Sequence, residues 1–292
     1  VTTIIRQGRI EELHPLVSGA GRLGRHIHHD SRSLSYQYPT EGLTLTTTVH
    51  ERRIPVLDQG SLGSCTGNAA VGCLGTDPFY GMLPAGTELD EELAVLVYSN
   101  ATKIDDSPGE YPPDDTGSSG LAVADVLRKL GWVSGYQHVF SRTDLLLSLT
   151  RTPGMLGIGW YDSFDKPDSS GRIRISPNAQ VRGGHELEVS MVDVENQVIG
   201  LTNSWGSSWG VNGRCFLGWA DLGRLLDEQG DYTILIPLSQ PAPVPTPTPL
   251  TADANDNTLW KAIGPWATTR HCCANAKAAK STLAWAAAKG LR

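Results

Sequence analysis

The sequence predicts an α+β fold in two facing halves, a helical half followed by a strand-rich half. Two observations lead there. Between residues 65 and 149 the apolar residues fall in runs of helical length, closed by glycine or opened by acidic residues. From 155 to 237 they fall in short β-prone runs split by Gly, Asn and Asp.

In chain order, residues 1–50 are polar and mixed, with a glycine-rich stretch at 18–24. His26, His28, His29 and Asp30 form no metal-ligand spacing with a second cluster, so this segment reads as a solvated arm. Leu43–Val49 alternates with threonines as an edge strand would. Pro55 keeps Ile54 extended, and a helix is expected from Cys65 to Leu74. Further helices are expected over Asp90–Thr102, with acidic residues in the first turn, over Leu121–Leu130, stopped by Gly131, and over Asp144–Leu149. A long loop covers 105–120. Strands are expected at Met155–Trp160, His185–Val194, Gln197–Trp205, Arg214–Trp219 and Tyr232–Pro237, the second and third forming a hairpin through Glu195-Asn196. Residues 238–250 are a proline-rich linker. The 251–292 tail carries six basic and two acidic residues, net +4, which leaves −11 on the rest of the chain. It reads as a small basic helical module or docking tail.

The chain has 292 residues and a net charge of −7, which argues against general nucleic-acid binding. Its longest apolar runs fall far short of the ~20 residues that span a bilayer. Its five cysteines (Cys65, Cys73, Cys215, Cys272, Cys273) show no framework spacing. With no signal-peptide pattern at Val1–Arg6, the expectation is a disulfide-free protein of a reducing, cytoplasmic compartment. Cys73 and Cys215 read as core residues, and Cys272-Cys273 beside His271 as incidental.

The chemistry is concentrated in three places: Asp58-Gln59-Gly60-Ser61-Leu62-Gly63-Ser64-Cys65, Gly184-His185, and Asn203-Ser204-Trp205-Gly206. A thiol at a helix start gains thiolate character from the helix dipole. A histidine can take its proton and return it to a leaving amine. An asparagine can hold the imidazole ring, and a glutamine amide can stabilise an oxyanion.

These segments, with Trp209-Gly210 beyond them, resemble papain-like cysteine peptidases of the papain family proper, over about residues 50–237 and in the order Gln, Cys, His, Asn. The resemblance implies a helical half, an antiparallel barrel-like half and an active-site cleft between them. It implies peptide-bond hydrolysis through a thioester acyl-enzyme, with Cys65 as nucleophile, His185 as acid/base, Asn203 as its orienter and Gln59 as oxyanion donor. Gly63, Ser64 and Trp205 would support the site. Gly184 and Glu186 would face substrate, and Glu186 would bias the S2 pocket toward a basic side chain. No cofactor or metal is implied, and the expected partner is a polypeptide, not nucleic acid or membrane. Leu62 and Thr66 resemble the disulfide-free bacterial and phage branch. Residues 1–50 form an N-terminal arm or short prosegment. Two other readings stand beside this one: a cell-wall amidase of the endolysin kind, and a peptidase-fold structural protein. In the structural reading the tail would dock on a virion, by similarity to peptidases of actinobacterial phages.

Overall fold

The computed structural model describes residues 23–27, 37–84 and 86–238, and the backbone of an N-terminal antiparallel hairpin, β1 (Thr2–Arg6) and β2 (Arg9–Leu13). The proline-rich linker beyond Leu238, the basic tail with Cys272-Cys273, and His28, His29 and Asp30 lie outside the described residues.

The helical half holds α1 (Cys65–Leu74), α2 (Glu91–Ala101) and α3 (Gly120–Lys129). Their starts follow from local chemistry. Asp90 accepts from the Leu93 N–H and Ser119 from the Ala122 N–H, satisfying donors that the first helical turn leaves open. Gly131, at φ +71°, lets the chain turn away after α3. Every residue of α1 is buried, and Gly67 lies so close to the Ala94 carbonyl that a side chain there would strike α2. The apolar faces of the three helices share one core with Leu57, Phe79 and Trp132.

The second half is built on a sheet of order β4 (Gly135–Val139), β10 (Asp231–Ile236), β5 (Gly154–Tyr161), β7 (Val181–Asp193), β8 (Val198–Thr202), β9 (Arg214–Gly218), β6 (Arg172–Ile173), with β3 (Thr48–Val49) beside β7. All pairs are antiparallel except β6–β9, and the path is open. Trp160, Leu187, Val189, Leu201 and Ile234 lie in its core, covered by α4 (Arg142–Ser148) and α5 (Trp219–Asp227) through Leu145, Leu146, Leu222 and Leu225.

Several expectations shift. β4 and α5 were not legible, and the edge strand expected at 43–49 shrinks to two residues. The strand expected to run to Trp205 stops at Thr202. There the chain leaves the ladder: the Asn203 N–H goes to the Gly213 carbonyl at 2.9 Å, and the Ser204 carbonyl accepts from the Gln59 N–H at 2.8 Å. That departure aims Asn203 at β7. Nor is the N-terminal arm uniformly solvated, since Arg25 is buried.

Candidate active site

The loop before α1 is held from three sides. Gly60 has φ +56° with open space around it, so this glycine serves a left-handed turn rather than close approach; its N–H donates to Asp58 Oδ1 at 3.0 Å. The Gly63 N–H donates to both Asp115 oxygens at 3.1 Å, and Asp115 also accepts from the Tyr98 hydroxyl at 2.7 Å. Ser64 does not cap α1; its hydroxyl donates to Asn68 Oδ1 at 2.9 Å, and Asn68 donates to both Glu91 oxygens at 2.8 Å. Burial pushes the Glu91 carboxyl up to about 7. The outcome is a rigid mount that delivers Cys65 as the first residue of α1, fully buried.

Gln59 joins the two halves. Its Oε1 accepts from the Ser204 hydroxyl at 2.6 Å and its Nε2 donates to the Leu62 carbonyl at 2.7 Å. His185 lies on β7 opposite Ile158, and its Nε2 is 2.8 Å from Asn203 Oδ1, which also accepts the Ser204 N–H at 2.8 Å. The imidazole is enclosed by Trp160 (ring centroids 4.9 Å apart, edge-on) and Trp205 (5.1 Å, tilted). Trp209 extends this aromatic cluster and donates its indole N–H to the Asp165 carbonyl at 2.9 Å. Among the described residues His185 Nδ1 has no hydrogen-bond partner.

Cys65 meets β7 at Glu186, the residue after His185. Burial pushes its thiol up to about 12, and the Glu186 carboxylate adds to that, while the backbone N–H groups of Glu186, Gly24 and Thr66 pull the other way. Burial also lowers His185 to about 4, against the Asn203 hydrogen bond that raises it; Arg182 lowers it further. At neutral pH Cys65 is a thiol and His185 a neutral imidazole.

The cause of that burial includes residues 23–27, which cross between the halves. The Arg25 N–H donates to the Gly184 carbonyl at 3.0 Å, the Gly24 carbonyl accepts from the Ser118 N–H at 2.8 Å, and the His26 N–H donates to the Ser118 carbonyl at 2.6 Å. Gly24 sits so close to the Gly63 carbonyl that no side chain fits there, and a side chain at Gly117 or Gly184 would strike the Gly24 or Arg25 carbonyl.

Gln59, His185 and Asn203 are therefore joined through Ser204, and Cys65 meets β7 one residue beyond His185, with Gly63, Ser64, Trp205, Gly184 and Glu186 in the same segments. Sequence reasoning missed Arg25, Asp231 and Ser204. Arg25 stands next to Gly24 in a glycine-rich stretch, and that was the only signal of close backbone contact. Cys65, Cys73 and Cys215 are free thiols, and among the described residues no group of His, Cys, Asp and Glu is arranged to hold a metal. No helix among them is long and apolar enough to cross a membrane.

This architecture is the α+β fold of papain-like cysteine proteases. It is similar to the structure of xylellain, a cysteine protease from Xylella fastidiosa, at TM-score 0.61 and 18% identity over 77% of this chain and 100% of that one. Digestive procathepsin L 3 of Tenebrio molitor (TM-score 0.47, 16% identity, 75% of this chain and 76% of that one) and bromelain from Ananas comosus (0.45, 11%, 64% and 95%) lie further off. No family model matches the sequence, and no curated protein matches it.

Proposed function

We propose that this protein is a cysteine peptidase whose described form is closed. The observation that carries the reading is the 2.8 Å His185–Asn203 hydrogen bond, sealed by Trp205, one residue from the backbone N–H that faces the Cys65 sulfur. In an open cleft water reaches the site, the penalty on charge falls, and the thiol can pass its proton to His185. The sulfur then attacks the peptide carbonyl. Gln59 Nε2, released from the Leu62 carbonyl, donates to the oxyanion together with the Cys65 N–H. The intermediate collapses as the imidazolium returns the proton to the leaving amine, leaving a thioester. Water, deprotonated by His185, hydrolyses it and restores the thiol.

The N-terminal segment 23–27 acts in this reading as a short prosegment, with Cys65 and its partners behind it. The test uses the full chain carrying Gly24→Ala, in which the new methyl group and the Gly63 carbonyl cannot share the cleft. We expect peptide hydrolysis and Cys65 labelling by a thiol-directed epoxide, both abolished when Cys65→Ala is added. Turnover that survives Cys65→Ala would refute the assignment of the nucleophile.

A further inference from the structure

Asp165 gathers three donors from around His185. Its Oδ1 accepts the Trp160 indole N–H at 2.8 Å and Arg182 Nη1 at 2.5 Å, and its backbone carbonyl accepts the Trp209 indole N–H. Trp160 is the ring that meets the imidazole edge-on, and it also packs against Trp205 (ring centroids 5.1 Å apart) and Trp209 (6.1 Å). Trp160 is fully buried, so its indole N–H needs an internal acceptor, and Asp165 supplies it. Arg182 reaches the same oxygen because the β5–β7 ladder is irregular there. Trp160 pairs with Gly183 and Tyr161 with Val181, so Arg182 is the extra residue of a bulge. A bulge re-aims the side chain it carries, and this one brings a guanidinium to Trp160, three residues before His185. The pair is mostly buried, with side chains 10% and 18% exposed. Arg182 disfavours the imidazolium. The elements around the ring otherwise bring Ile158 and Trp160 from β5, and Asn203 and Trp205 from the segment after β8. The titratable group of α1 is Cys65, which meets β7 at Glu186, and Glu186 points to the face of β7 opposite His185.

We propose that Asp165 and Arg182 form a positioning pair for His185: Asp165 fixes the indoles around the imidazole and balances the Arg182 charge, and together they set the pH range over which the ring holds a proton. The inference rests on the peptidase reading, in which His185 takes the Cys65 proton and returns it to the leaving amine. A bare cation beside the ring opposes the first step, and a bare carboxylate opposes the second, because it makes the imidazolium a weaker acid. In a site walled by three indoles the local dielectric is low, and charges reach further than in water. A balanced pair therefore leaves a small field on the ring, and neutralising one member exposes the other. The two neutralising substitutions should move the imidazole in opposite directions and cancel when combined, which a purely structural ion pair would not do.

The test is an NMR titration of the His185 imidazole, assigned by its disappearance in His185→Asn, in the full chain carrying Gly24→Ala. The chain without Gly24→Ala is the second background should that variant not fold. Asp165→Asn keeps an oxygen for the Trp160 N–H and loses the charge, and we expect the midpoint to fall by about 0.5 pH unit or more. Arg182→Gln should raise it by a similar amount, and Arg182→Lys should hold it near its starting value. Asp165→Asn and Arg182→Gln together should return it there. In peptide hydrolysis by Gly24→Ala the alkaline limb of kcat/KM should move the same way in each variant. Shifts of one sign for both single variants, or no shift in either, overturn the pair, and hydrolysis by Gly24→Ala then leaves the peptidase reading standing. Opposite shifts without hydrolysis of any peptide overturn the peptidase reading and leave the pair's hold on His185.

Discussion

Glu186 and Glu188 stand two residues apart on one face of β7, both buried, and each has an arginine beside it. Glu188 is saturated. Arg52 donates to one oxygen and the Thr76 hydroxyl to the other, and a second Arg52 nitrogen reaches the Pro55 carbonyl at 3.1 Å. Among the described residues the Glu186 carboxyl oxygens accept no hydrogen bond, and its arginine spends its donors on Asp231 and Gln229. Strand and burial are nearly the same in the two cases, but burial and the neighbouring Asp231 push the Glu186 carboxyl well above the usual carboxylate range. The difference lies in hydrogen-bond saturation, which makes a clamp of Glu188 alone. The clamp ties Thr76 at the end of α1 to the sheet, while Glu186 faces Arg25 of the N-terminal segment.

The comparison breaks most visibly in the arginines. Arg52→Met should lower stability in urea by about 3–5 kcal/mol, the usual consequence of stranding a buried carboxylate. Arg25→Met should lower it by no more than about 1–2 kcal/mol, because departure of the segment lets water reach Glu186. Equal losses would make both pairs structural.

A second effect lies in acid. His185 titrates at about 4 in the folded protein against an ordinary 6.5, so the unfolded chain takes up the proton first. Stability from this group is complete above pH 6.5 and is lost as pH falls toward 4, by up to about 3 kcal/mol at 1.36 kcal/mol per unit. Buried carboxyls such as Glu91, raised to about 7, run the opposite way. The difference in melting temperature between wild type and His185→Asn across pH 4–7 isolates the histidine, and a flat difference would contradict its burial as the neutral form.

The smallest step is steric. Gly24→Ala adds one methyl group in a packed cleft, an overpacking of about 1–3 kcal/mol. Placed entirely on the closed form, it speeds iodoacetamide modification of Cys65 by roughly 5- to 160-fold. Cys73 and Cys215, in the two cores, serve as internal controls and should stay protected.

The site was more legible than the segment that covers it. Gln59, Cys65, His185 and Asn203 sit in short segments with local chemical signatures, and α1 to α3 begin within a residue of where their patterns predict. β4 escaped because Gly135-Tyr136-Gln137-His138-Val139 has no clean alternation and is a strand by virtue of its pairing with β10. α5 escaped because its first residue, Trp219, falls inside the β-prone run expected over Arg214–Trp219, although Trp219, Leu222, Leu225 and Leu226 recur at helical spacing. The Arg25–Asp231 contact spans 206 positions, and no local pattern encodes a partner at that distance. Gly120 ends the expected 105–120 loop and Gly157 lies inside the expected Met155–Trp160 strand; only their nearness to Glu186, Asp231 and Arg25 shows why a side chain is excluded there.

The covering segment is joined to the chain it covers. The next described residues, Gln37 and Tyr38, are fastened to β4 at His138, ten positions from Ile27. A tether of that length holds a ligand at an effective concentration on the order of millimolar, whatever the protein concentration. Self-coverage of this kind survives dilution, so progress curves should keep the same lag at every enzyme concentration unless one molecule removes the segment of another. In the proposed peptidase a free peptide would have to outcompete this neighbour, which would raise its apparent KM by the ratio of closed to open forms and leave kcat at saturation untouched.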